Sequence, residues 1–482
     1  MRGRKASALR GRRSLLAVCT VTALLGGVTT GVSPATAEDS PASSAPAIPN
    51  LTQDRLDNDL RFRTDFGLTA DKSYVKRLYD DARAGKVAAS MTDGALLTTA
   101  EHNNLAARAQ KADPVIDAVR TYLKGQASNL YAALYLDQKH GGIVVLGVTS
   151  DPAAHAAAIT PRLPVGSVDF LHVVQMPNAM VDLEALMASI DKSASDAEGA
   201  GVDISSIGID EVNNKVLVGV ASDITGATRF FDGSFSGAPI EVDEMPHPVL
   251  SGVNYTEAPP LRGGQRINYI ANQLIHMCTS AFVAYTVTRL DAGIFTYNYY
   301  LLTAGHCETD AALVAKTGTA VWQQVNYAIG LSDLNSFVPG SSADAMRIPI
   351  RATDKSSEIS IAYQLRNLVR CEEAANDDVV GEQEAMSGAT TGGAVGGVLK
   401  IKKLIVNASD GEGHKVKLVN QKEADYKSQG GDSGGSVYGS RRCAWQAQGI
   451  ESTGGKRNGK DVSTFTHVSF ADAKMGVSIQ TG

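Results

Sequence analysis

The chain has 482 residues, too many for one ordinary domain and enough for two or three, with the 43% hydrophobic and 20% charged content of a soluble globular protein. Its formal net charge is −6, and residues 1–37 hold Arg2, Arg4, Lys5, Arg10, Arg12 and Arg13 and no acid, so their removal leaves −12. Such acidity offers no basic stripe to nucleic acid or anionic lipid, and no partner of either kind is expected.

The basic start, the apolar run Leu15–Leu25 and the small residues Ala35-Thr36-Ala37 read as a secretory signal over residues 1–37. The run is too short to anchor the chain across a bilayer, and no later segment is long and apolar enough to replace it. Secretion is therefore expected. Arg12-Arg13-Ser14-Leu15-Leu16 has the look of a twin-arginine signal, which leaves the export route open. Residues 38–50, rich in Ser, Pro and Ala, read as a linker. From Gln53 to Ser128 apolar residues recur at helical spacing, over Tyr74–Ala84, Thr98–Ala109 and Asp113–Leu123, with Pro114 suited to a first turn. Two similar segments follow. DQKHGGIVVLGVTSD at 137–151 and DEVNNKVLVGVASD at 210–223 each begin at an aspartate, turn through Gly or Asn, and enter a β-branched strand. Each predicts a hairpin, and Ala179–Ala197 between them predicts a helix. Residues 51–260 thus read as an α+β domain with no catalytic constellation. From Gly263 short strands punctuated by Gly, Ser, Thr and Asn dominate, so residues 261–482 read as all-β.

The second half carries Leu302-Thr303-Ala304-Gly305-His306-Cys307 and Gly431-Asp432-Ser433-Gly434-Gly435. A serine hydroxyl is a poor nucleophile near neutral pH and needs a base within hydrogen-bond reach. It also needs N–H groups aimed at the oxyanion, which the N–H groups of Gly431 and Ser433 can supply. Ser433 is the candidate nucleophile and His306 the candidate base. Asp344, with small residues before it and an alternating apolar strand after it, is the candidate orienting acid; Asp333 and Asp310 sit in polar loops and fit less well. The order His, Asp, Ser is one of those on which the triad is built. Gly431-x-Ser433-x-Gly435 also fits a nucleophile elbow, with Asp461 and His467 following, but that fold needs a parallel sheet with crossover helices. Without Cys19, four cysteines remain, Cys278, Cys307, Cys371 and Cys443, and they allow three pairings.

With these residues the C-terminal half, about 263–482, resembles the bacterial chymotrypsin-like serine peptidases of the streptogrisin and α-lytic protease group. Ser387-Gly388-Ala389-Thr390-Thr391-Gly392 is similar to that group's SGxTTG segment, and Gly449–Gly455 to its substrate-binding strand. The ends Thr464–Val468 and Met475–Ser478 are similar too. Residues 51–260 resemble its pro-regions more loosely, through Leu97-Thr98-Thr99-Ala100-Glu101 and the hairpins. The resemblance implies two six-stranded antiparallel β-barrels, peptide-bond cleavage through an acyl-enzyme, no metal or cofactor, and a pro-region that guides folding and blocks the site. Expected partners are polypeptide substrates and the chain's own pro-region, with the enzyme a monomer. The resemblance also implies the bridge Cys278–Cys307 beside the base, which leaves Cys371 with Cys443.

The chain departs from the group in places. The cysteines that flank the SGxTTG segment are replaced by Ala385 and Val395, and Gln429 stands near another missing cysteine. Met386 stands where a cation usually neutralises the buried aspartate, here Asp432. A buried carboxylate without a partner is costly, so a new N-terminus or another Lys or Arg is expected to meet it. Lys427, Ser428, Glu451, Ser452 and Gly454 fall at the specificity pocket. A free Lys427 selects acidic side chains, a free Glu451 basic ones, and a mutual pair uncharged ones. Two rival classes stand beside the peptidase: a catalytically silent homologue that binds peptides or proteins, and an elbow-type esterase.

Overall fold

The computed structural model describes residues 48–248 and 259–482, except 272–273, 291–292, 311, 325, 363–364, 375 and 411–413. The expected signal segment lies outside the described residues, as does most of the expected linker. Helix α1 (Gln53–Asp65) is capped by the Thr52 side chain, and α2 (Lys72–Arg83) by Asp71. Each cap satisfies an N–H that the first helical turn leaves without a partner. Helix α3 (Thr99–Leu123) opens with a reciprocal capping box between Thr98 and Glu101. It runs unbroken through Pro114, whereas the sequence places a fresh start there. Ala112, Val115, Ile116 and Val119 bury one face of its second half against the neighbouring strands, and that packing outweighs the lost hydrogen bond.

Both expected hairpins form, and each belongs to a larger repeat. β1 (Tyr131–Asp137) pairs with β2 (Ile143–Val148), helix α4 (Pro152–Ile159) crosses over, and β3 (Leu171–Gln175) lies parallel to β2. Helix α5 (Met180–Lys192) follows. The pattern then recurs as β4 (Ile204–Asp210), β5 (Lys215–Val220), α6 (Ile224–Ser234) and β6 (Ile240–Glu244), with β6 parallel to β5. Both crossover helices start from an aspartate in the left-handed region, Asp151 at φ 44° and Asp223 at φ 47°, a conformation that Asp tolerates better than most residues.

The C-terminal half is antiparallel β with a closing helix. One four-stranded sheet is built from 266–271, 274–279, 322–324 and 327–330, and a five-stranded one contains 283–289, 295–303 and 346–350. Beyond them β7 (Gln383–Gly388), β8 (Gly393–Ser409), β9 (Lys415–Ala424), β10 (Lys460–His467), β11 (Gln446–Arg457) and β12 (Ser436–Gly439) pair in that cyclic order, β12 returning to β7. This sheet does not stand alone as a barrel, because β8 continues through β4 into the N-terminal repeat, with Leu404↔Gly208, Ile405↔Ile207 and Val406↔Ser206. The earlier strands form two separate sheets, so the pairing does not give the expected two six-stranded barrels.

The described residues pack as one unit. Ile405 joins the apolar core of the second repeat, Val379 that of the first, and Val398 packs with Phe62 and Phe66. Around these contacts acids of the N-terminal region meet cations of the C-terminal half: Asp113 with Arg441, Asp117 with Arg442, Glu211 with Lys402, and Asp203 with Lys415. The sulfur pairs are Cys278–Cys307 and Cys371–Cys443, which span 29 and 72 residues. Replacing both members of a pair by alanine in a Ser433→Ala background should cost about 3.5 kcal/mol for the first and about 4.5 kcal/mol for the second, because the longer loop gains more entropy when opened. Urea unfolding measures both; equal or negligible losses would show that the constraint lies elsewhere.

Candidate active site

His306 lies in a one-turn helix, Gly305–Cys307, at the end of strand 295–303. Its Nδ1 is 2.6 Å from Asp344 Oδ2, and its backbone N–H donates to Asp344 Oδ1 at 2.9 Å. The Ser452 hydroxyl also donates to Asp344 Oδ2, at 2.5 Å, and Asp344 N–H donates to Thr466 Oγ1 at 2.9 Å. Asp344 is fully buried. Burial pushes its pKa up, but the adjacent His306 charge, the His306 and Ser452 side-chain hydrogen bonds and the His306 N–H outweigh burial, and the pKa is lowered. Phe337 meets the imidazole edge-on at 5.8 Å and braces it. An ionised acid on Nδ1 fixes the proton there and turns Nε2 out as an acceptor. His306 Nε2 is buried and has no hydrogen-bond partner among the described residues.

Ser433 lies in the turn before β12. Its hydroxyl donates to Ser452 O at 3.3 Å rather than to His306. The backbone around it is shaped by glycine: Gly431 has φ 96° and Gly434 φ 86°. A Cβ on Gly434 would collide with Thr279 O and Thr303 Oγ1. Thr279 Oγ1 donates to Gly431 O at 2.5 Å and so holds the turn. Among the described residues, no acceptor takes the N–H of Gly431 or Ser433. Both stay available for a developing oxyanion.

Asp432 meets no cation among the described residues. Its carboxylate accepts the N–H groups of Thr390 (2.8 Å), Thr391 (3.1 Å) and Gln429 (2.8 Å). The SGxTTG-like segment thus takes the place of the expected ion pair, and Met386 packs among Leu399, Val437 and Phe465. Burial raises the Asp432 pKa to about 6 against the pull of these N–H groups. A carboxyl raised on folding adds stability that is fully present below the ordinary carboxylate range and is lost as pH rises through about 6. In a Ser433→Ala background, Asp432→Asn should therefore remove a decline of roughly 3 kcal/mol between pH 4 and 7. Parallel stability–pH curves for the two proteins would contradict this.

Lys427 and Glu451 do not neutralise each other. Lys427 Nζ is 3.0 Å from Asp54 Oδ1 on α1. Glu451 is buried and accepts the Tyr426 hydroxyl at 2.8 Å. Gly454 abuts Ser428, so tightly that a Cβ there would meet Ser428 Oγ. Asp333 and Asp310 pair with Arg347 and Lys316. The elbow partners are engaged elsewhere: Asp461 with Lys456, and His467 Nε2 against Asp378 at 3.2 Å. Neither cluster of potential metal ligands among the described residues suits a metal. Cys278 and Cys307, beside His306, are joined as a disulfide. In the other, Glu373, Asp378 and His467, Lys422 Nζ sits on Asp378. His467 Nδ1 there accepts the Ser469 N–H, which leaves the ring proton on Nε2. The sequence reading missed the Ser452 hydroxyl as a partner of Asp344 and Thr279 as a brace of Gly431. Neither contact has a local signature, since 108 and 152 residues separate the partners.

No protein-family model matches the chain, and no curated protein matches it. Among solved structures it is similar to Thermobifida fusca Protease A, at 22% identity and TM-score 0.34 over 46% of this chain and 98% of that one. The Nocardiopsis protease is similar at 20% identity and TM-score 0.34, covering 46% and 98%. A glutamic acid specific serine protease is similar at 21% identity and TM-score 0.34, covering 46% and 100%.

Proposed function

We propose that the chain is the precursor of a secreted serine endopeptidase, in which residues 51–260 are a pro-region and 261–482 the enzyme. The observation that carries the reading is the buried His306–Asp344 pair, whose Nε2 is unoccupied, beside a glycine-shaped turn that presents Ser433 and two N–H groups. Ser433 Oγ turns from Ser452 O toward His306 Nε2, passes its proton there and bonds to the substrate carbonyl carbon. The carbonyl oxygen takes the electron pair and is held by the N–H groups of Gly431 and Ser433. His306 then gives the proton to the departing amine, leaving the acyl chain on Ser433. Water, deprotonated by His306, then attacks the acyl carbon, and the acid is released as the bond to Ser433 Oγ breaks and His306 returns the proton to that oxygen. Asp344 stays ionised and keeps the imidazolium in place.

The pro-region reading draws on the chain around Pro248. Asn458 N–H donates to Glu244 O at 2.7 Å, and Pro248 packs near Gly455, at the end of the strand that carries Ser452. A chain held there can block the cleft until it is cut. One observation favours the silent-homologue reading, namely that the Ser433 hydroxyl points to Ser452 O. The two readings part on casein hydrolysis by the N-terminally processed protein. The peptidase reading expects cleavage that Ser433→Ala abolishes, and the silent homologue expects none.

A further inference from the structure

On the reading that Ser433 is the nucleophile, we infer that Glu451 makes the enzyme select a cationic side chain, lysine or arginine, on the acyl side of the cleaved bond. The geometry of attack decides where that side chain goes. The reacting carbonyl must meet Ser433 Oγ with its oxygen at the N–H groups of Gly431 and Ser433. The side chain one bond away then lies between the segment that leads into Ser433, Lys427–Gln429, and the strand that passes Ser433, Glu451–Gly454. These two segments face each other, since Ser433 Oγ reaches Ser452 O at 3.3 Å and Gly454 abuts Ser428.

Glu451 stands in this wall one residue before Ser452. It is 1% exposed, and its Oε1 is buried with no hydrogen-bond partner among the described residues. Its Oε2 takes the Tyr426 hydroxyl at 2.8 Å. The Ser428 and Ser463 hydroxyls, 2.8 Å apart, lie beside the carboxyl. A buried carboxylate ringed by three hydroxyls and facing no cation among the described residues is a set of acceptors suited to an ammonium or guanidinium group. A buried acid without a cation is costly, and here burial pushes the pKa up to about 8. An entering cation supplies what the site lacks and stabilises the ionised acid. Lys427, the side chain that would select acids instead, is partly exposed and in the precursor pairs with Asp54 of α1, a partner that processing removes. The Gly454–Ser428 contact narrows the space, which suits an unbranched stem better than an aromatic ring.

The test uses the processed enzyme and peptide p-nitroanilides that differ only in the residue before the cleaved bond. Lysine and arginine should exceed leucine, phenylalanine and glutamate in kcat/KM by ~100-fold or more, because a buried acceptor left unpaired penalises the wrong side chain. Glu451→Gln should lower the lysine-to-leucine ratio by ~10-fold or more. A wild-type preference for glutamate, as a released Lys427 would give, or for phenylalanine would overturn the inference. So would an unchanged ratio in Glu451→Gln. Failure of the broader reading looks different: the wild-type enzyme would then cleave none of the substrates and bind no fluorophosphonate.

Discussion

Asp344→Asn should lower kcat by about 10⁴-fold while leaving the fold intact. An asparagine in that place still accepts one hydrogen bond. Its NH₂, however, faces the group that now donates from His306 Nδ1, and the imidazole is driven to the tautomer with its proton on Nε2. A protonated Nε2 cannot take the Ser433 proton. Asp344 also accepts from the His306 N–H and the Ser452 hydroxyl, so the change reaches the strand beside Ser433 as well. His306→Ala should cost at least as much, and the double variant little more, because the two residues act as a unit. Steady-state kinetics on the processed enzyme, with circular dichroism to verify folding, measures this. Near-normal turnover in Asp344→Asn would mean that another carboxylate orients the base.

Residues 263–482 made alone should yield ~100-fold less active enzyme than the full chain, and residues 51–248 added in trans should restore it. The reason lies in what the C-terminal half leaves open without its partner. Strand β8 loses β4 and exposes a row of unpaired N–H and C=O groups. Ile405, Val379 and Val398 lose the apolar cores they complete. Arg441 keeps Glu373 and Glu382 but loses Asp113. Losses of a few kcal/mol consume much of a domain's net stability, and two missing tenfold factors already give the expected deficit. Non-local strand pairing also makes such a domain slow to fold without a template. Efficient unaided refolding of 263–482 would show that the N-terminal region is no folding partner.

The features visible in the sequence are local ones. The Thr98–Glu101 capping box, the turns at 138–142 and 211–214, and the glycine-shaped turn at Ser433 each depend on a few neighbouring residues. The helix through Pro114 was hidden because tertiary packing overrode a local signal. The repeat beyond each hairpin was hidden because its crossover helices are short, the first being Ala-rich with little periodicity and the second interrupted by Gly226 and Gly233. Asp432 shows a further limit. A missing cation at Met386 points to a vacancy, but backbone N–H groups carry no residue type that could announce them as its replacement. Lys427 and Glu451, placed at one pocket by the resemblance, look like natural partners, yet Asp54, far away in sequence, holds the lysine.

Activation of Ser433 by His306 can be read directly from covalent labelling. Diisopropyl fluorophosphate reacts with an activated serine hydroxyl and loses fluoride, and peptide mass spectrometry of the treated, processed protein locates the adduct. One diisopropylphosphoryl group is expected on Ser433 in the wild type and none in His306→Ala. No adduct on Ser433, or equal labelling in the two proteins, would contradict it.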